Sequence, residues 1–143
     1  MAFLQIDYKS EALMRGVNIK VILPSDGMAG KWEPPYKTLY LLPGYSATAT
    51  ELITYLGLRG QSELKGIAIV LPDGENLFYQ DLSDRMTFYS TYVGKELVEV
   101  TRKMLPLSTK REDTFIGGIS MGGYGALYNG FKYRDTFSKV VAF

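Results

Sequence analysis

Residues Gly118-Ile119-Ser120-Met121-Gly122 place a hydroxyl between two glycines, one two positions before it and one two positions after. A serine in that setting can occupy a sharp strand-to-helix turn: the glycines leave room for the bend, and the side chain projects above the end of a sheet. A helix starting there would offer free N–H groups and the positive end of its dipole, which favour the negative charge that develops on a carbonyl oxygen during acyl transfer. Ser120 is therefore a candidate nucleophile, and the N–H of Met121 is a candidate oxyanion donor. The competing reading is a serine that only caps its helix. Context favours chemistry, because the run Thr114 to Ile119 reads as a buried strand and Gly122-Gly123-Tyr124-Gly125-Ala126-Leu127 reads as a closely packed helix.

A second constellation, Leu41-Leu42-Pro43-Gly44-Tyr45-Ser46, ends an earlier apolar run. In folds with a serine turn of this type, a loop at that place supplies the other oxyanion N–H. Tyr45, directly after the glycine, is the candidate donor; a plain Pro-Gly turn is the alternative. Phe78 and Tyr79 follow Pro72-Asp73-Gly74, on the side where open α/β sheets bind ligands, and are candidate substrate-pocket residues for an acyl or sugar group. Aromatics that merely support loops are the alternative there. What the set lacks is a base. The 143 residues contain no histidine, so the usual serine, acid and histidine triad cannot be completed from them. Asp73, Glu75, Asp81, Asp84 and Asp135 then have no base to orient and read as turn or solvated surface residues, and nothing places a lysine near Ser120 as a substitute.

The elements that must position these residues follow from apolar spacing. Residues 3 to 8 and 17 to 23 predict two strands joined at Arg15-Gly16, which would pair as a hairpin. Pro24 to Pro35 reads as a loop. Thr38 to Leu42 and Gly66 to Leu71 are continuous apolar runs ended by Pro43-Gly44 and Pro72-Asp73-Gly74, as fully buried strands are. A helix is expected at Glu51 to Leu58. A longer one is expected where Tyr89, Tyr92, Val93, Leu97, Val100 and Met104 share one face, stopped by Pro106. A strand at Thr114 to Ile119, a helix at Met121 to Phe131 and a last apolar run, Phe137 to Phe143, complete the pattern. Buried strands alternating with helices predict a mostly parallel α/β sheet with right-handed crossovers, opened by an antiparallel pair. No repeat or linker divides the chain, so residues 1-143 read as one domain or part of one.

Composition narrows the functional classes. Sixteen Lys and Arg against fifteen Asp and Glu give a net charge of +1, which provides no electrostatic case for nucleic acid or an acidic membrane surface as partner. The absence of cysteine removes disulfides, thiolate metal sites and a cysteine nucleophile. No cofactor or metal is expected. The N-terminal residues lack the basic and apolar segments of a signal peptide, and no run reaches the roughly 18 apolar residues of a membrane span, so the cytoplasm is the expected location.

The runs LYLLPGYSA, AIVLPDGENLFYQD and TFIGGISMGGYGAL together resemble the esterase D and S-formylglutathione hydrolase group of α/β-hydrolases, most nearly its tributyrin-type acetyl or short-chain esterases. The resemblance covers nearly the whole chain. It implies a serine carboxylesterase acting on short-chain esters, with Ser120 as nucleophile and the N–H groups of Met121 and Tyr45 as oxyanion hole. One motif departs: the group carries histidine-glycine where this chain has Pro43-Gly44, and that histidine supports the loop rather than acting as base.

Length departs as well. In the group the triad Asp and His lie on loops beyond the nucleophile helix, whereas this sequence stops after the next strand, and an apolar parallel strand there would expose an unpaired edge. An α/β-hydrolase-type sheet truncated at that point is expected, in an incomplete domain. The chain would then be the N-terminal piece of a split or proteolysed esterase or a truncated gene product. A degenerate, non-catalytic relative acting as a binding or scaffold protein is the alternative. A C-terminal half or another copy is expected to cover the edge.

Overall fold

A computed structural model describes residues 1–26 and 31–143; four residues of the loop expected at 24–35 lie outside the described residues. Strand β1 (Ala2–Ser10) pairs antiparallel with β2 (Arg15–Leu23), in register from Ala2 opposite Leu23 to Ser10 opposite Arg15. Arg15-Gly16 therefore lies within the ladder, not at the turn where the sequence pattern put it. The physical reason is a distant carboxylate. Glu96 accepts the N–H groups of Glu11 (2.7 Å) and Ala12 (2.9 Å) and the hydroxyls of Ser10 (2.6 Å) and Tyr8 (3.2 Å), which fixes a turn without glycine at residues 11–14.

After β3 (Lys37–Leu42), helix α1 (Ala49–Tyr55) opens on a capping box in which Thr48 and Glu51 satisfy each other's backbone N–H. It stops short of the expected Leu58, and a second helix, α2 (Leu58–Lys65), follows; only Leu58 and Ser62 of α2 are buried, too little apolar periodicity to read from sequence. Strand β4 (Ile67–Leu71) comes next, then a small ribbon of β5 (Asp81–Leu82) and β6 (Thr87–Phe88). The long helix is realised as α3 (Tyr89–Thr91), a π-helical turn (Tyr92–Glu96) and α4 (Leu97–Met104). Gly94 lies in the π turn because the ring of Tyr133 occupies the space a Cβ would need. Strand β7 (Thr114–Gly118), helix α5 (Met121–Lys132) and β8 (Lys139–Ala142) complete the described fold.

The main sheet runs β1-β2-β4-β3-β7-β8, with β4, β3, β7 and β8 parallel and β1 and β2 antiparallel, as expected. Alternate residues of the central strands serve different cores. Tyr40, Leu42, Ala68 and Val70 pack with Tyr89, Val93, Leu97 and Ala126 of the helices on one face. Leu41, Ile69 and Leu71 pack with Ala49, Leu52 and Leu58 on the other. Among the described residues β8 pairs with β7 alone, and Val141 and Phe143 at that edge are exposed.

The join between sheet and α5 is a backbone-to-backbone contact. A Cβ at Gly122 would lie 2.7 Å from the Pro43 carbonyl oxygen and closer still to that of Leu42, while one at Gly118 would overlap the Gly122 carbonyl. Gly122→Ala should therefore lower stability by about 3 kcal/mol or more. Gly60→Ala, in an open stretch of α2 with nothing within 4 Å, should raise it by about 0.5–1 kcal/mol. Urea midpoints of the two variants check the contrast. Burial also holds the hydroxyls of Tyr8, Tyr79, Tyr89 and Tyr92 above the ordinary phenol range, and pushes Tyr40 up to about 12. The fold then favours neutral tyrosine. Its contribution is complete below the unfolded value of about 10 and is lost as pH rises from there through the folded values. Stability should be insensitive to these groups at pH 7 to 9 and fall above pH 10, with tyrosinate absorbance appearing cooperatively on unfolding.

Candidate active site

Ser120 has φ 57° and ψ −115°, a left-handed conformation that a side chain adopts only under constraint. Three backbone contacts impose it. The Ile119 N–H donates to the Leu42 carbonyl (3.2 Å), the Ser120 N–H to the Phe143 carbonyl (2.8 Å), and the Gly122 N–H to the Ile119 carbonyl (2.9 Å). The turn thus hangs between the C-terminal ends of β3 and β8. Its side chain is exposed and makes no capping bond to α5, which removes the competing reading in which the hydroxyl serves the helix end.

The loop after β3 leans directly on this turn. A Cβ at Gly44 would be 3.3 Å from the Ser120 Cβ and 3.0 Å from the Ile119 carbonyl oxygen, so a side chain there would crowd the serine turn. Tyr45 follows, exposed. Among the described residues, neither the Tyr45 nor the Met121 N–H donates to a protein acceptor, while their neighbours do: Ser46 N–H to Asn76 Oδ1 (2.7 Å), Ala47 N–H to the Gly44 carbonyl (3.1 Å). Two free amides thus flank a strained serine at the end of a parallel sheet and the start of a twelve-residue helix. An anionic oxygen is what such a pair accepts.

Residues 73–79 brace that loop, a role the sequence pattern offered only as the alternative for the aromatics at 78 and 79. Asp73 Oδ1 accepts the Ala49 N–H (2.7 Å) at the start of α1, so Asp73 is a helix-end partner rather than a solvated turn residue. Asn76 holds Ser46 as described. Tyr79 is fully buried and donates its hydroxyl to the Pro43 carbonyl (2.7 Å). It supports the loop and does not face an open pocket, which corrects the candidate pocket role read from its position. The signal for Asn76 was there: asparagine tolerates the left-handed region it occupies here at φ 58°.

Phe78 is exposed, as a pocket residue must be. Its ring lies 6.3 Å from that of Tyr45 and 5.9 Å from that of Tyr124; Tyr124 in turn stacks on Tyr128 at 6.1 Å. Beyond them Tyr124, Leu127, Tyr128 and Phe131 border a groove of about 630 Å³ along α5. The remaining acids are used elsewhere. Glu75 pairs with Arg15, Asp81 accepts the Thr91 N–H and hydroxyl (both 2.9 Å), and Asp84 and Asp135 are exposed. Among the described residues no cluster of acids could hold a metal, and no helix is long and apolar enough to cross a membrane.

Known proteins similar to this chain are esterases and serine hydrolases. An acetyl esterase of Caldicellulosiruptor saccharolyticus is 40% identical over 147 residues, covering 99% of this chain and 55% of the relative. An S-formylglutathione hydrolase of Paracoccus denitrificans is 29% identical, covering 95% and 54%. The substrate-bound structure of the fluorophosphonate-binding serine hydrolase FphF of Staphylococcus aureus superposes with a TM-score of 0.86 at 30% identity, covering 97% of this chain and 55% of that one. The chain therefore spans about half the length of the curated relatives it matches. Residues 10–143 match the Esterase family, described as "Putative esterase". With its serine turn on a mostly parallel sheet flanked by helices, this chain belongs to the Esterase family and has the α/β-hydrolase type of fold.

Proposed function

We propose that the chain carries the nucleophile and oxyanion hole of a serine carboxylesterase for short-chain esters. The observation that carries this reading is the left-handed Ser120 held between two free amides, those of Tyr45 and Met121. In the proposed reaction Ser120 Oγ attacks the ester carbonyl and passes its proton to a base. The carbonyl oxygen becomes an oxyanion bound by the two N–H groups, the alcohol leaves with the proton, and water then releases the acyl group from Ser120. Tyr45, Phe78 and Tyr124 would face the apolar part of the ester. The 40% identical acetyl esterase supports a short acyl group.

The base cannot be a histidine of this chain, since none exists. We infer that the acid and base of the triad come from outside these 143 residues, on a polypeptide that covers the free edge of β8, and that residues 1-143 are one part of a larger catalytic domain. The relatives, nearly twice as long, support this. A non-catalytic binding or scaffold protein is the second reading, favoured by the same lack of histidine.

Incubation with p-nitrophenyl acetate, followed by intact-mass measurement, separates these. Residual catalysis from an oxyanion hole alone is roughly 10³ to 10⁴-fold over water. The isolated chain should therefore turn over slowly or not at all, and should gain one acetyl group at Ser120 that Ser120→Ala does not acquire. Rapid turnover abolished in Ser120→Ala would overturn the imported base. A stable chain that never acylates at residue 120 would favour the scaffold.

A further inference from the structure

The two amides proposed as oxyanion hole belong to different segments, so their separation must be fixed by something that touches both. Tyr79 does. Its ring lies against α5 at Gly125, where a Cβ would overlap it, and under Gly74, where a Cβ would strike its hydroxyl end. Its carbonyl accepts from Asn129 Nδ2 (3.1 Å), a fully buried side chain of α5 whose Oδ1 accepts the Ser90 hydroxyl (2.6 Å). At the other end its own hydroxyl reaches the Pro43 carbonyl, two residues before Tyr45. One side chain thus spans from the nucleophile helix to the loop that carries the second amide.

Backbone conformation shows how firmly this arrangement is set. Glu75, Asn76, Phe78 and Tyr79 all have φ between 49° and 58°. Left-handed non-glycine residues cost on the order of 1 to 3 kcal/mol each and persist only where surrounding contacts over-determine them. Here the contacts are the buried ring and hydroxyl of Tyr79 and the bond from Ser46 to Asn76. Burial keeps the phenol protonated at any working pH, so its hydroxyl remains a donor.

We propose that Tyr79 is a positioning residue for acyl transfer: its bond to the Pro43 carbonyl sets the Tyr45 N–H against the Met121 N–H. The role rests on Ser120 and the two amides acting as proposed above. Proline at position 43 has no side-chain hydrogen-bonding group, so the support of the loop falls to its carbonyl and to the tyrosine that holds it.

Tyr79→Phe in the 143-residue chain removes the bond and keeps the ring. Two measurements decide the proposal, taken where circular dichroism shows wild type and variant equally folded. The first is amide hydrogen exchange by NMR: Ser46 and Ala47 should exchange about tenfold faster in Tyr79→Phe, with the interior of α5 unchanged. The second is capture of Ser120 by an alkyl fluorophosphonate, resolved into reversible affinity and maximal rate. The maximal rate should drop about tenfold or more, within the 10² to 10³-fold that loss of a whole oxyanion donor costs, while reversible affinity holds. A purely structural residue would not split rate from affinity in this way. Unchanged exchange at residues 46 and 47 overturns the strut. Faster exchange with an unchanged capture rate overturns its role in positioning. If Ser120→Ala is labelled as fast as wild type, the reading of Ser120 fails and the positioning role falls with it, while exchange still reports on the strut.

Discussion

Everything at this site depends on the absence of side chains where α5 meets the sheet. Gly122 rests on the carbonyls at the end of β3, Gly118 rests on Gly122, and Gly44 rests on the serine turn. At such separations neither the helix start nor the end of β3 leaves room for a side chain. Ser120 is held in a conformation that costs free energy by the backbone bonds of residues 119, 120 and 122. The free amide of Met121 follows from its place, since a helix start leaves its first N–H groups without partners, and that of Tyr45 meets no acceptor among the described residues. On the proposed reading, this positioning precedes any substrate, as electrostatic stabilisation of a developing charge requires.

The loop after β3 is held by side chains that come from outside it. The sequence resemblance implies a histidine supporting this loop where the chain has Pro43. Three side chains from residues 73–79 hold it instead: Asp73 at the start of α1, Asn76 at Ser46 and Tyr79 at Pro43. They accept or donate at backbone atoms, so they are indifferent to the side chain at position 43. A proline is acceptable there because the bond it receives is to its carbonyl.

What could be read from the sequence was what period and punctuation encode. The strands β3, β4 and β7 are apolar runs closed by glycine, proline or the serine turn, and they lie where the runs lie. The sharp turn at Ser120 and the glycines packed around it were legible because sterics leave few residue types that fit such a bend. Contacts between distant residues were not legible. Nothing local to residues 11–14 announces that Glu96 will fix their turn, and nothing near Tyr79 announces that its hydroxyl will meet Pro43 rather than solvent. The helix α2 escaped because a half-exposed eight-residue segment with glycine, glutamine and serine has too little apolar periodicity to show. The ribbon of β5 and β6, two residues a side, has no period at all.

The bond from the Ser120 N–H to the Phe143 carbonyl has a temporal meaning. A chain is made from its N-terminus, and domains form as their parts become available. The hairpin of β1 and β2 and the pairing of β3 with β4 need nothing beyond residue 71. The serine turn waits for a residue twenty-three positions further on. Most of the sheet can thus be assembled while Ser120 is still on relaxed backbone, and its bond to the Phe143 carbonyl forms only when β8 is laid down. In the order of synthesis, the strain at Ser120 comes after the β1–β2 hairpin and the β3–β4 pair.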